Sequence, residues 1–252
     1  MKTAIITGAS AGLGIELLRA LIEKDDVDRY IIIARRKERL EKVASNYPDK
    51  DIVCLSIDIT NKDDLDSYKK LLSEKDTDVK YLINNAGFGR LGEFYGSDAN
   101  DQSSMVTLNC KALTEITALT LPHMKKGGEI INICSIASFV PNAFMTVYSS
   151  TKAYVMSFSR GLRFELKKRK INVLAVCPGP MKTEFLPVAG IEKGSSHTFD
   201  TLPYCEPYKV ARGAIKASSR KKAVYTPRLF YKFYRVLSKI LPHSILMHFS
   251  KV

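Results

Sequence analysis

Short apolar runs alternate with longer amphipathic segments along the first 180 residues of the chain. The short runs are rich in Ile, Val and Leu, which is typical of strands buried in a parallel sheet. We expect strands at 3–7, 29–34, 51–57, 80–83, 129–134 and 171–176, with a seventh at 223–226. The spacing between them predicts helices near 13–24, 36–46, 62–75, 101–125 and 147–169. This alternation predicts a single-domain α/β fold with a doubly wound parallel sheet of about seven strands.

Residues 184–206 (EFLPVAGIEKGSSHTFDTLPYCE) break this alternation directly after the sixth strand. Ligands of open α/β sheets bind beyond the carboxyl ends of the strands, where this segment begins. We therefore interpret it as a candidate lid over a substrate. A mobile surface loop is the alternative.

Composition favours one globular domain: the chain has 252 residues, of which 45% are hydrophobic and 26% are charged. Its five cysteines form no CxxC pair and no Cys/His cluster with metal-ligand spacing. We expect reduced thiols, no metal site and a cytoplasmic location. A strand directly after Met1 leaves no room for a signal peptide, and no apolar run reaches the roughly 18 residues of a membrane span.

The net charge of +13 is concentrated near the carboxyl terminus. No acidic residue follows Glu206, while residues 207–252 contain eleven Lys and Arg. The first 206 residues carry a net charge of only +2, from 28 basic and 26 acidic residues. The basic character therefore belongs to the tail rather than to the predicted sheet domain.

A glycine-rich loop, TGASAGLG at 7–14, follows the first strand and opens the first predicted helix. Gly8, Gly12 and Gly14, with Ser10 and Leu13 between them, let the backbone approach a pyrophosphate at a helix N-terminus. No GK[ST] follows, which argues against a nucleoside-triphosphate P-loop. The context predicts dinucleotide binding in a Rossmann-type fold.

Two arginines follow the second predicted strand, where an NAD-binding fold usually places an acid for the ribose 2′-hydroxyl. The guanidiniums of Arg35 and Arg36 suit a 2′-phosphate instead, because Arg binds phosphate in a bidentate manner. We therefore expect NADP(H) rather than NAD(H). In the alternative interpretation both arginines are solvated residues at the start of a helix.

The stretch YSSTK at 148–152 places a phenol and an ammonium four residues apart, on one face of a helix. A nearby cation favours the phenolate, so the pair is a candidate proton donor. An ordinary surface pair remains the alternative for these five residues taken alone.

Over roughly residues 1–183 the chain resembles the short-chain dehydrogenase/reductase family, with its TGxxxGxG and YxxxK motifs. The motifs that carry the resemblance are TGASAGLG at 7–14, Asp58, NNAG at 84–87, Asn109, Ser135, YSSTK at 148–152 and PGPMKT at 178–183. Within this family, the chain resembles hydroxysteroid-dehydrogenase-like and broad-specificity NADP-dependent reductases more than acyl-carrier reductases. This preference rests on Arg35 and on the extended tail.

The resemblance implies a catalytic quartet. Tyr148 would be the general acid in carbonyl reduction and the base in the reverse reaction. Lys152 would lower the pKa of that phenol and hydrogen-bond the nicotinamide ribose. Ser135 would polarise the substrate carbonyl, and Asn109 would interrupt its helix to hold a water near Lys152. Each has a structural alternative: a strand-end hydroxyl, a solvated amide, or an aromatic side chain in the core.

The resemblance also implies the rest of the cofactor groove. Asp58 would contact the adenine, although it is equally suited to cap the next helix. Asn85 and Ala86 would line the adenosine ribose side, and Thr183 would hold the carboxamide or the pyrophosphate. The implied groove also includes Gly87, Pro178 and Gly179.

We divide the chain into a catalytic domain, 1–226, and a basic amphipathic tail, 227–252. Within 227–241 one helical face carries Phe230, Phe233, Tyr234, Leu237, Ile240 and Leu241, and another carries Arg228, Lys232, Arg235 and Lys239. Pro242 would end this helix. Its apolar face would cover the protein's own pocket or a partner subunit, lie on an anionic membrane, or dock an acidic partner such as an acyl carrier protein. Nucleic acid is not expected.

The predicted substrate pocket is apolar and aromatic, with Phe139, Phe144, Met145, Phe185, Leu186 and Tyr204 as candidate walls. We therefore expect an oxidoreductase that interconverts a lipophilic ketone or aldehyde and its alcohol with NADP(H), as a homodimer or homotetramer. A 3-oxoacyl-carrier reductase, and a non-catalytic dinucleotide sensor or scaffold, are the alternatives.

Overall fold

The computed structural model of the chain describes residues 1–73, 77–192, 194 and 196–249. Within these residues, seven parallel strands form one sheet in the order β3-β2-β1-β4-β5-β6-β7. The strands are Lys2–Thr7 (β1), Arg29–Ala34 (β2), Asp51–Ser56 (β3), Asp78–Asn84 (β4), Glu129–Ile133 (β5), Asn172–Val176 (β6) and Val224–Tyr225 (β7). The order reverses between β1 and β4, which opens a crevice at the carboxyl ends of these strands.

Helices cover both faces of the sheet. They are Leu13–Lys24 (α1), Lys37–Ala44 (α2), Lys62–Ser73 (α3), Ala99–Val106 (α4), Leu113–Thr120 (α5), Thr146–Glu165 (α6), Phe185–Val188 (α7), His197–Thr201 (α8), Pro207–Ser219 (α9), Leu229–Ile240 (α10) and His243–Phe249 (α11). Short 3₁₀ turns occur at Leu121–His123 and Ile136–Ser138.

Two apolar layers form the core because successive side chains of each strand point to opposite faces. In β1, Ala4 and Ile6 pack towards α1 and α9, while Ile5 packs with residues of α3 and α5 on the other face. The predicted doubly wound parallel sheet is therefore confirmed.

The predicted helix at 101–125 is interrupted. After α4, residues Thr107–Ala112 form π-helical turns, and α5 then begins at Leu113. π-Helical turns within an α-helix are frequent at functional sites, and this one contains Asn109. The predicted strand at 223–226 is reduced to the two residues of β7, and the last two residues of the helix predicted at 62–75 lie outside the described residues.

Residues 184–206 contain two short helices, α7 and α8, rather than an irregular loop. A bridge pairs Met181 with Cys205, and the Cys205 N–H donates to the Pro180 carbonyl at 2.7 Å. Both ends of the segment are therefore joined beside the end of β6. Residues 193 and 195 lie outside the described residues.

The tail is attached to the catalytic domain through α10. Tyr231 is fully buried, and its hydroxyl donates to the Pro203 carbonyl at 2.8 Å. Tyr234 and Leu237 are half-buried on the same inner side, whereas Phe233 and Ile240 are exposed. The single apolar face predicted for this helix is thus wrong, because its members divide between an inner and an outer side. In the described part of the chain, no helix is long and apolar enough to cross a membrane.

Candidate active site

One cavity of about 1000 Å³ opens at the carboxyl ends of β1 to β6. The glycine loop after β1, the arginines after β2 and the segments after β4 and β5 line one part of it. Helices α7, α8 and α10 line another part. Its wall brings together most of the predicted cofactor residues: Gly8, Ser10, Gly12, Leu13, Arg35, Arg36, Asp58, Asn85, Ala86, Gly87, Pro178, Gly179 and Thr183.

The glycine loop needs its glycines for three different reasons. Gly8 and Gly12 have φ angles of 67° and 53°, which disfavour a side chain. A Cβ on Gly12 would also lie 3.1 Å from Cβ of Thr183, so only bare backbone fits beside that side chain without displacing it. Gly14 does not line the cavity; a Cβ there would overlap the Gly8 carbonyl oxygen, so its role is close packing of α1 on the loop.

Asn85 stabilises the glycine loop with its side chain. Its Nδ2 donates to the carbonyls of Thr7 and Gly8 at 3.1 and 2.9 Å. The Thr7 hydroxyl in turn accepts from the N–H groups of Asn85 and Ala86, both at 3.1 Å. These bonds join the ends of β1 and β4, so the Asn85 side chain positions the loop rather than pointing freely into the cavity.

Three arginines and two carboxylates lie at the end of β2. Arg35 pairs with Asp58 at 3.8 Å, and the Asp58 carboxylate also accepts from the N–H and the hydroxyl of Thr60. Arg39 binds both oxygens of Glu184 at 2.7 and 2.8 Å, and Arg36 reaches Glu184 at 3.5 Å. These arginines lower the pKa of Glu184, Arg39 most strongly.

Arg39 and Glu184 belong to this cluster but are not among the residues predicted from the sequence. Arg39 is one helical turn beyond Arg36 on α2, a spacing that could have identified it as part of the same basic cluster. Glu184 is 145 residues from Arg39 in the sequence, and nothing in the local pattern indicates this contact.

Tyr148 and Lys152 lie on the first turns of α6 and both side chains are buried, at 8% and 5% exposure. The Lys152 ammonium donates to the Ile133 carbonyl at 2.9 Å and lies 5.7 Å from the centre of the Tyr148 ring. Ser135 follows β5, and its hydroxyl accepts from the Ala137 N–H at 3.1 Å. All three side chains line the same cavity.

Asn109 is buried behind this group and does not line the cavity. Its Nδ2 donates to the Phe88 carbonyl at 2.8 Å and to the Thr151 hydroxyl at 3.0 Å, and its Oδ1 accepts from the Phe88 N–H at 3.1 Å. A Cβ on Gly87 would lie 2.9 Å from that oxygen and 3.4 Å from the Lys152 nitrogen. Asn109 thus ties the segment after β4 to α6.

Burial dominates the acid–base properties of the pair. It raises the pKa of Tyr148, and the Ser135 side chain opposes this shift only in part. Burial lowers the pKa of Lys152. Burial therefore outweighs the lowering of the phenol pKa that was expected from Lys152. The physical reason is desolvation of the phenol, together with an ammonium whose hydrogen bond is made to the Ile133 carbonyl.

Three of the six predicted substrate-wall residues line the cavity: Met145, Phe185 and Leu186. The Tyr148 and Phe185 rings lie in contact, with centroids 5.6 Å apart. The segment 184–206 therefore contacts the candidate proton donor directly.

The other three predicted wall residues lie outside the cavity lining. Phe139 packs against Tyr234, with ring centroids 6.1 Å apart. Phe144 has a positive φ of 61° and is largely exposed. Tyr204 lies beneath the Lys182 ammonium, 5.6 Å from its ring centre. Their places are taken by side chains that only the tertiary arrangement identifies: Phe199, Leu202, Phe230, Tyr231 and Tyr234.

Further polar side chains line the cavity, among them Arg90, Asp101 and Asn142. All five cysteines are free thiols; Cys134 lines the cavity, whereas Cys177 is buried and does not line it. Among the described residues, no group of three or more His, Cys, Asp or Glu side chains could hold a metal ion.

A glycine loop after β1, a buried Tyr–Lys pair and a strand-end serine on a doubly wound sheet define a dinucleotide-dependent oxidoreductase. A family model described as short chain dehydrogenase matches residues 2–191. The chain belongs to the short-chain dehydrogenase/reductase family.

Similarity to individual proteins supports this membership. A probable NADP-dependent dehydrogenase of Haemophilus influenzae is 34% identical over 215 residues, which cover 83% of this chain and 84% of the relative. A short-chain dehydrogenase from Sphingobium yanoikuyae, solved in complex with NADPH, has a TM-score of 0.82 at 31% identity, covering 98% and 96% of the two chains. The bulky-bulky ketone specific alcohol dehydrogenase of Comamonas testosteroni has a TM-score of 0.76 at 28% identity, covering 98% and 94%.

Proposed function

We propose that the protein is an NADP(H)-dependent oxidoreductase that interconverts a lipophilic ketone or aldehyde and its alcohol. The observation that carries this proposal is a cavity in which the glycine loop, the arginines after β2 and the Tyr148–Lys152 pair meet beside apolar side chains.

The cavity residues fit a phosphorylated dinucleotide. Bare backbone at Gly12 lies against Thr183 and bare backbone at Gly8 lies against Ala86, so the loop can bring its backbone close to a pyrophosphate at the start of α1. Beyond it, Arg35 and Arg36 stand where an acid would select NAD. The Haemophilus relative is named NADP-dependent and the Sphingobium relative was solved with NADPH, which supports the same preference here.

When bound, the nicotinamide supplies the hydride; the protein supplies position and the proton. Tyr148 holds a proton at its phenolic oxygen and donates it to the carbonyl oxygen, since burial keeps this phenol neutral. Ser135, at the end of β5, would donate a hydrogen bond to the same carbonyl oxygen and orient it, while keeping its own proton. Lys152 and Asn109 would position Tyr148 and the segment after β4.

The substrate side favours an apolar carbonyl compound. Met145, Phe185, Leu186 and Phe199 lie beside Tyr148. The charged side chains of Arg90 and Asp101 also line the cavity, but they pair with each other at 3.1 Å. A ligand placed there exchanges water for apolar contacts. The Comamonas relative acts on bulky ketones according to its name, which supports the same substrate class.

Two further proposals concern the whole protein. Residues 184–206 would act as a lid, because α7 and α8 both contribute to the cavity wall. The protein would be a cytoplasmic homodimer or homotetramer, supported by large apolar side chains exposed on α4 and α6: Val106, Tyr154 and Phe164.

The test is an NADPH-oxidation assay at 340 nm with the purified protein and paired carbonyl substrates. Aryl and long-chain alkyl ketones are compared with short ketones and with aldose sugars. We expect kcat/KM to rise with apolar size and to be negligible for sugars. A preference for sugars, or no turnover of any carbonyl despite tight NADPH binding, would overturn the proposal, the second outcome in favour of a dinucleotide sensor.

A further inference from the structure

The outer side of α10 carries an exposed apolar stripe, which no other described residue of the chain covers. Leu229, Phe233, Val236 and Ile240 are spaced four, three and four residues apart, so they lie along one line on the helix. Their exposed fractions are 80%, 64%, 54% and 71%. We call these four residues the apolar stripe. Large apolar side chains aligned in this way over three turns indicate an interaction surface.

A row of cations accompanies the stripe at the same spacing. Arg228, Lys232, Arg235 and Lys239 each precede a stripe residue by one position, and we call them the basic row. In the part of the chain that the structure describes, none of the four lies within 4.0 Å of a carboxylate. The nearest recorded partner of Arg228 is the Tyr204 carbonyl. Within the described residues no carboxylate therefore neutralises these charges, and Lys232 and Lys239 are exposed to solvent.

The surrounding surface adds charge of the same sign. Arg160 of α6 lines a small pocket together with Arg235 and Lys239. Arg220 and Lys222 are exposed at the turn before β7, and no acidic residue follows Glu206 in the sequence. A second copy of this chain related by a two-fold axis would place these cations against themselves, which is unfavourable.

The same helix also borders the cavity. Tyr231 and Tyr234, on the inner side of α10, line the cavity, and so does Phe230, which is 54% exposed. The helix that carries the apolar stripe on its outer side therefore also forms part of the cavity wall. A surface that binds the stripe would lie close to the cavity proposed for a lipophilic ligand.

We propose that the outer side of α10 docks on the surface of an anionic lipid bilayer. The apolar stripe enters the boundary between headgroups and acyl chains, and the basic row binds lipid phosphates. An acidic protein would neutralise the basic row, but it would also need an apolar groove that matches the stripe. Docking does not depend on catalysis, so vesicle binding can be tested independently of the proposed reaction.

The experiment is flotation of the full chain with vesicles of equimolar phosphatidylglycerol and phosphatidylcholine, and with vesicles of phosphatidylcholine alone. We expect binding only to the anionic vesicles, weakening as salt is raised. Phe233→Ser combined with Ile240→Ser should weaken binding at least about tenfold, because both side chains leave the lipid phase. Lys232→Gln combined with Lys239→Gln should weaken it roughly thirtyfold, at about fivefold for each lysine.

Phe94→Ser is the matched control, because Phe94 has nearly the same exposure as Phe233, 62%, but lies outside α10. This variant should bind vesicles like the wild type. The stripe and row substitutions are at exposed positions, and retained NADPH binding would show that each variant is folded.

Three outcomes would overturn the proposal. One is absence of binding to anionic vesicles, whether or not the protein binds poly-glutamate as an acidic protein mimic. Another is unchanged vesicle binding by the stripe variant, which would show that the protein adsorbs to vesicles through its positive charge alone. The third is a stripe variant that binds vesicles normally but dissociates into smaller oligomers, which would assign the stripe to a second copy of the chain.

Discussion

Tyr148 illustrates how burial and a neighbouring cation compete at one residue. The sequence predicts a phenol whose pKa is lowered by Lys152, whereas burial raises the pKa in the folded protein. The outcome suits a proton donor, since a neutral phenol is the form that protonates a carbonyl oxygen. The account therefore assigns Tyr148 to proton delivery and Lys152 to positioning.

Replacing Tyr148 by Phe tests this assignment directly. The substitution removes the proton but leaves the ring and its contact with Phe185. Turnover in carbonyl reduction should fall roughly a hundredfold or more, with NADPH affinity nearly unchanged. Stopped-flow or steady-state assays at saturating cofactor would measure the effect, and unchanged turnover would remove Tyr148 from the mechanism.

The raised pKa also predicts the pH dependence. Carbonyl reduction needs the neutral phenol, which predominates below its pKa, so the reduction rate should stay constant from about pH 6 to pH 8. Alcohol oxidation needs the phenolate, so its rate should increase with pH over the same range. Rate profiles in both directions would check this; a reduction rate that falls with a midpoint below pH 7 would contradict the raised pKa.

At the scale of elements, an ion-pair cluster links α2 to the start of α7. Glu184 binds Arg39 through both oxygens and reaches Arg36, beside the position proposed for the 2′-phosphate. A bound phosphate and the Glu184 carboxylate would compete for the same guanidiniums. We therefore regard Glu184 as an element of cofactor selection that a local sequence pattern does not indicate.

Glu184→Gln should tighten NADPH binding roughly two- to fivefold, the range expected for one exposed ion pair, and should change NADH binding less. Titration calorimetry with both cofactors would measure this difference. Glu41→Gln is the control, since it removes the same charge from α2 where Glu41 pairs with Lys37. Equal effects on NADPH and NADH would show that Glu184 does not compete with the 2′-phosphate.

The attachment of α10 depends on Tyr231. Its ring packs against Gly179, where a Cβ would overlap it, and its hydroxyl binds the Pro203 carbonyl. Tyr231→Phe should cost about 0.5–1.5 kcal/mol of unfolding free energy and Tyr231→Ala about 3–5 kcal/mol. Urea unfolding would give both values. If the alanine variant lost no more stability than the phenylalanine variant, the ring would not hold α10 on the domain.

At the scale of the whole molecule, local patterns were sufficient for the sheet and for the residues at strand ends. Buried apolar runs define β1 to β6, and residues that follow parallel strands must meet at one edge, which is why Ser135 and Arg35 could be placed in one cavity. Short-range spacing likewise put Tyr148 and Lys152 on one face of α6.

The remaining features depend on contacts between distant segments. The π-helical turns at Asn109 place its side chain against Phe88 and Thr151, and no local propensity predicts them. The two sides of α10 could not be assigned because Tyr231, not Phe233, meets Gly179. Half of the predicted substrate wall was misplaced for the same reason, since the sequence gives apolar character but not the direction of a side chain.

The central claim, an NADP(H)-dependent oxidoreductase, is tested most directly by fluorescence titration with NADPH and NADH. The account predicts tight binding of NADPH, weaker binding of NADH, and a selective loss of NADPH affinity of about ten- to a hundredfold in Arg35→Ala. A preference for NADH would contradict the proposed phosphate site. Absence of binding of either cofactor would contradict the claim itself.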